Sequence, residues 1–178
     1  MNPPFALDVW SDFVCPWCYL GERRLAQALA ARPGAVSEVR WPPVAVDPNL
    51  GPPGDDRRAY LQRRFGDPDR FRDAQRQLVE LGATAGIDYR FAAIARMPNT
   101  RAAHALVALA GDRQGAVVEA LFRAYFTEGL DLADPAVLAG IGAAAGLDAD
   151  RLRERLAARE GYPAIERQEE QARAMGVS

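Results

Sequence analysis

Phe5-Ala6-Leu7-Asp8-Val9-Trp10-Ser11-Asp12-Phe13-Val14-Cys15-Pro16-Trp17-Cys18 carries, in order, a strand, a turn and two thiols. Apolar and polar residues alternate from Phe5 to Trp10, the period of a half-buried strand, and Ser11-Asp12 ends it. After the thiols, Leu20, Leu25, Ala28 and Leu29 recur at helical spacing up to Arg32, where Pro33-Gly34 stops the pattern. A second strand is expected from Val36 to Val46, with Pro42 and Pro43 making its end irregular or placing it at a sheet edge. Strand, helix, strand is a βαβ unit.

The position of the thiols in that unit is what gives them chemistry. Pro16 fits a first helical turn, because its missing N–H would be unpaired there anyway. Cys15 therefore falls at the N-cap, where unpaired backbone N–H groups and the positive end of the helix stabilise a thiolate. Cysteines so placed have pKa values of about 3.5–7.5 rather than about 8.5. One turn on, Cys18 lies about 5–6 Å away between β-carbons, and a small adjustment brings the pair to the roughly 3.8 Å of a disulfide. Cys15 is expected to be the attacking nucleophile and Cys18 the resolving thiol. Trp17 between them would shield the site and offer an apolar contact to a docking polypeptide. Asp12, three residues before Cys15, either influences proton movement at the thiols or caps the turn. Against this stand two plainer readings, a pair of inert buried thiols and half of a metal site.

Composition narrows the class further. The chain has 178 residues, 49% hydrophobic and 26% charged, which suits one globular domain or one domain with an insertion. Twenty-two basic residues, all arginine, against 24 acidic ones leave a formal charge of −2. No electrostatic pull toward nucleic acid follows from that balance. No apolar run approaches the roughly 20 residues of a membrane span, and the first nine residues do not read as a signal peptide. A cytoplasmic protein is expected. With two cysteines and the single histidine, His104, an ordinary four-ligand zinc site cannot close. His104 sits in an expected helix capped by Asn99 or Thr100, and a lone helical histidine is more often packed or exposed than catalytic.

Beyond Asp47–Asp56, rich in Pro and Gly and read as a loop, the pattern is helical. Asp67-Pro68 and Asp134-Pro135 are N-cap signatures. Apolar stripes run through Phe71, Ala74, Leu78 and Leu81; through Val117 to Phe126; and through Val137, Leu138, Ile141 and Ala145. Leu152 and Leu156 mark a short helix, and a polar one runs from Pro163 to Met175. Tyr19, Trp10 and Trp41 read as core or rim. Only Ile87–Ile94 has any further strand character.

Ser11-Asp12-Phe13-Val14-Cys15-Pro16-Trp17-Cys18-Tyr19-Leu20-Gly21, with Arg23-Arg24-Leu25, resembles the FrnE-like branch of the DsbA family. Arg40-Trp41, Asp47-Pro48, Arg96-Met97-Pro98-Asn99-Thr100 with Ala103-His104, and Glu119 to Phe126 extend the likeness over nearly the whole chain. The resemblance implies an α/β thioredoxin-like fold with a large all-helical insertion, and thiol–disulfide oxidoreductase activity. It divides the chain into residues 1–46, the N-terminal βαβ part; 47–160, the helical insertion; and 161–178, the start of the return. The catalytic pair would be Cys15 and Cys18, supported by Pro16, Trp17 and Asp12, with no metal. No cofactor is implied beyond the redox-active disulfide, with glutathione admitted as a co-substrate. The partners implied are protein or small-molecule thiols and disulfides, with no nucleic acid and no membrane.

A related isomerase branch, the 2-hydroxychromene-2-carboxylate isomerases, usually has Ser where this chain has Cys15. Glutathione-dependent isomerisation of an aromatic or polyketide-like substrate is thus an alternative to redox chemistry, as is a redox-sensitive chaperone. Family members also continue into a Gly-Val-Pro segment whose cis-proline faces the thiols, then a C-terminal β-hairpin and last helix. Those elements are missing from this sequence, which ends at Gly176-Val177-Ser178. A disordered tail, a truncated chain and completion by another chain, for instance in a homodimer, all stay open.

Overall fold

The computed structural model describes residues 5–66 and 68–177. Strand β1, Phe5–Asp8, and strand β2, Val36–Arg40, pair in parallel across helix α1, Pro16–Ala31. Leu7 lies opposite Val39 and Asp8 opposite Arg40. Both strands are shorter than their β-forming composition suggests. β1 ends at Asp8 rather than Trp10, although Ser11 makes a further parallel bridge to Pro43. β2 ends at Arg40 rather than Val46, because Pro42 and Pro43 cannot donate to a ladder.

The expected loop closes with a two-residue strand, β3, Asp55–Asp56, antiparallel to β4, Arg96–Met97. Gly54 permits this approach. Its φ of +67° favours glycine, and a β-carbon there would collide with the carbonyl of Met97. Helix α2, Arg57–Phe65, follows at once, with the Asp56 carboxylate accepting the Ala59 N–H at 2.8 Å as its cap. Helix α3 is Pro68–Thr84; its expected cap, Asp67, lies outside the described residues. Ile87–Ile94 is not a strand. Its aromatic residues turn inward around a 3₁₀ turn at Phe91–Ala93, and packing decides its path.

Helices α4 (Arg101–Leu109), α5 (Gln114–Phe126), α6 (Pro135–Ala144), α7 (Ala149–Ala157) and α8 (Tyr162–Ala174) complete the chain. Asp134 caps α6 as its sequence predicts, accepting from the Ala136 N–H at 2.8 Å. At α4 the N-cap is Thr100, but the Asn99 side chain accepts the Arg101 N–H.

α5 is central, with Val117, Val118, Leu121 and Phe122 all fully buried. An aromatic cluster ties it to the N-terminal unit. Tyr19 of α1 stacks on Phe122 at 5.2 Å between centroids, and Phe13 meets Phe122 at 5.1 Å. One hydrophobic core therefore includes residues of both the βαβ unit and the helices. No helix among the described residues is long and apolar enough to cross a membrane.

Candidate active site

Cys15 is the N-cap of α1, with extended backbone (φ −93°, ψ 110°) and Pro16 in the first turn. The turn before it is fixed by the Cys15 N–H donating to the Asp12 carbonyl at 3.0 Å. The Cys15 carbonyl then accepts from the Cys18 and Tyr19 N–H groups, the first bonds of the helix. Both thiols are half-buried and unbridged.

Their environments push the two sulfurs in opposite directions. The Cys15 pKa is lowered to about 7, first by a hydrogen bond from the Cys18 thiol, and further by the backbone N–H groups of Cys18 and Trp17. Partial burial and the Asp12 charge work against that lowering. The same hydrogen bond, with burial, raises the pKa of Cys18. Near neutral pH this gives one thiolate and one thiol that holds it.

Asp12 lies in the turn before Cys15 and near both thiols. Its backbone carbonyl closes the turn, while its side chain is buried behind the thiols. One carboxylate oxygen accepts the Val46 N–H at 2.6 Å, and Thr100 provides a further hydrogen bond. Burial outweighs these bonds and pushes the Asp12 pKa up to about 6. His104 is buried beside it, Nε2 at 3.9 Å from Asp12 Oδ1, and among the described residues neither atom has a hydrogen-bond partner. Burial lowers the His104 pKa to about 4, so at neutral pH the imidazole is uncharged and the contact is not an ion pair.

The helical part reaches the site through Tyr89, whose hydroxyl donates to the Pro16 carbonyl at 2.5 Å. That bond fixes the first turn of α1 from 73 residues away. Beside the thiols opens a cavity of about 500 Å³, lined mainly by apolar groups and bordered by Cys15, Pro16 and Trp17. Trp17 is 48% exposed, so it forms a rim and not a lid.

The sequence matches the DsbA-like thioredoxin domain over residues 6–178. The chain belongs to the DsbA-like thioredoxin-domain family. Among solved structures it is similar to a Streptomyces coelicolor protein described as a probable DsbA oxidoreductase. That pair is 27% identical with a TM-score of 0.84, covering 96% of this chain and 76% of the other. The cytosolic disulfide reductase DsbM of Pseudomonas aeruginosa, solved with glutathione, matches at 20% identity and TM-score 0.67, covering 98% and 82%. A 2-hydroxychromene-2-carboxylate isomerase shares the fold at 16% identity and TM-score 0.71, covering 94% and 79%. Comparison with curated protein sequences finds no match.

In this DsbA-like chain the five expected residues, Cys15, Cys18, Pro16, Trp17 and Asp12, lie around one helix tip. Tyr89 was not legible as part of it, because nothing local in Asp88-Tyr89-Arg90 signals a bond to Pro16. His104 was the weaker candidate, and only the fold shows that its neighbour is Asp12. Arg57 of α2, which lines the cavity, had no sequence signal, since it is one of 22 arginines.

Proposed function

We propose that this DsbA-like protein is a dithiol–disulfide oxidoreductase in which Cys15 attacks and Cys18 resolves. The observation that carries the reading is the opposed environment of the two sulfurs at one helix tip: Cys15 favoured as thiolate, Cys18 kept as thiol. In the reducing direction the Cys15 thiolate attacks one sulfur of a substrate disulfide, whose S–S bond breaks. The departing half leaves as a thiolate and takes up a proton. Cys18 then loses its proton and attacks Cys15 Sγ, which expels the second half as a thiol and closes the Cys15–Cys18 disulfide. The two electrons come from the enzyme dithiol, and a thiol reductant such as glutathione restores it. In the oxidising direction the same steps run backwards.

Asp12 is the buried group best placed to influence the proton leaving Cys18, because its charge acts on both thiols. The isomerase and chaperone alternatives rest on likeness of fold or on the exposed Trp17 alone, and a thiolate in place of a serine hydroxyl favours exchange.

Equilibration in glutathione redox buffers, with thiol labelling and mass analysis, tests the reading. The expected result is one two-electron transition that joins Cys15 to Cys18. A midpoint within or below the cytosolic poise of roughly −220 to −320 mV would indicate a reductase, and one well above it an oxidant or disulfide isomerase. Absence of an intramolecular disulfide at any buffer ratio would overturn the proposal.

A further inference from the structure

His104 is a buried titratable group that the exchange steps above do not use. It lies in α4 one turn after Thr100, whose side chain bonds the Asp12 carboxylate. Its ring packs on Phe13 at 4.8 Å between centroids and bonds the Val44 carbonyl. A carbonyl only accepts, and Nε2 has no partner among the described residues, so Nδ1 carries the hydrogen. Nε2 of the uncharged ring therefore presents a bare lone pair, 3.9 Å from Asp12 Oδ1.

Oδ1 has the same deficit. Oδ2 accepts the Val46 N–H at 2.6 Å, while Oδ1 has no partner among the described residues. An ionised carboxylate oxygen also only accepts. Two buried acceptors thus face each other, an arrangement that native proteins rarely leave unfilled. One proton on Oδ1 satisfies both, because the carboxylic acid then donates to Nε2. Cys15 and Cys18 of α1, Tyr60 of α2 and Tyr125 of α5 also feel the Asp12 charge. Burial raises the pKa of both tyrosines, so each keeps its proton near neutral pH. In the resolving step the proton set free beside Asp12 is that of Cys18.

We infer that His104 is a positioning residue for the resolving step: its Nε2 holds, by a hydrogen bond, the proton that Asp12 Oδ1 takes from Cys18. This role rests on the redox reading and adds to it the destination of the proton. The Cys18 S–H bond breaks and its proton goes to Oδ1, which becomes the acid O–H that donates to Nε2. The Cys18 sulfur bonds to Cys15 Sγ as the bond from Cys15 to the substrate half breaks. The departing thiolate takes the proton from Asp12, so carboxylate and imidazole end the cycle unchanged. His104 makes Asp12 a better proton acceptor because it stabilises the acid and not the carboxylate.

The chain has one histidine, so its ring nitrogens are followed in the 15N-labelled, reduced wild-type protein without ambiguity. As pH falls through the Asp12 pKa of about 6, the Nε2 signal should move toward the protonated position without reaching it, with Nδ1 little changed. Asp12→Asn should abolish that step. In a single turnover with dithiodipyridine at pH 7.5, the first thiopyridone released reports attack by Cys15 and the second reports resolution by Cys18. His104→Asn keeps a donor for Val44 but has no atom at the Nε2 position. It should slow the second release about fivefold to tenfold relative to the first. His104→Gln, whose side-chain oxygen reaches that position, should recover most of the rate. In an Asp12→Asn background, His104→Asn should change nothing further. The nitrogen signal needs only the wild type and decides the matter if His104→Asn does not fold. An Nε2 signal that ignores Asp12 protonation, equal second releases in wild type and His104→Asn, or slowing that persists in the Asp12→Asn background overturns the role of His104 and leaves the redox reading standing. A wild-type protein that releases one thiopyridone and forms no Cys15–Cys18 disulfide overturns the redox reading, and this role with it.

Discussion

Cys15→Ser is expected to lower insulin-disulfide reduction by roughly three orders of magnitude or more, the scale of losing a nucleophile. Cys18→Ser should also stop turnover, but at a later step. The substrate half then stays bound to Cys15 as a mixed disulfide, because the group that expels it is gone. The asymmetry follows from the helix. Cys15 sits at the N-cap with the Cys18 and Trp17 backbone N–H groups toward its sulfur, while Cys18 lies one turn in and donates its own proton to that sulfur. Non-reducing gels and peptide mapping distinguish the two variants. If Cys15→Ser keeps activity while Cys18→Ser accumulates nothing, the roles are wrongly assigned.

The second large effect is on stability. The Asp12 pKa is about 6 in the folded chain against an ordinary value of 3.8 for an aspartic acid. Between these values the native state binds the extra proton, so stability is lost as pH rises through that window. The shift corresponds to about 3 kcal/mol by pH 7. Asp12→Asn removes the buried charge and keeps a carbonyl oxygen for the Val46 N–H, so it should stabilise the reduced protein at neutral pH. A rise of roughly 6–10 °C in Tm is the corresponding scale for a chain of this length. At pH 4, where the native carboxyl is already protonated, the gain should vanish. Removing the charge also removes its upward pull on both thiols, so both pKa values should fall. Thermal melts at pH 4 and 7.5 decide this. Equal melting of wild type and variant at both pH values would mean that Asp12 is not a strained buried charge.

The parallel β1–α1–β2 unit and the Cys15 cap were legible because the period of two, Pro16 and Pro33-Gly34 are local signals. The helices from α3 onward were legible from their apolar stripes, although α5 is so largely buried that only a narrow stripe through Ala116, Glu119 and Arg123 meets solvent. The β3–β4 ladder was not, because two residues carry no period and the pairing depends on Gly54 letting two chain segments meet. At the site, sequence brought Asp12 near Cys15 but could not choose between an influence on proton movement and a cap of the turn; the fold shows its carbonyl closing the turn and its carboxyl buried close to the thiols. Tyr89, His104 and Arg57 entered only through tertiary packing.

The pH dependence of iodoacetamide alkylation of the reduced protein, with each cysteine mapped, tests the central claim most directly. The account predicts rapid labelling at Cys15 with a midpoint near pH 7, little labelling at Cys18, and a midpoint displaced upward in Cys18→Ala, which lacks the hydrogen bond to the thiolate. Equal labelling of both cysteines with a midpoint near the ordinary pKa of about 8.5 would contradict it.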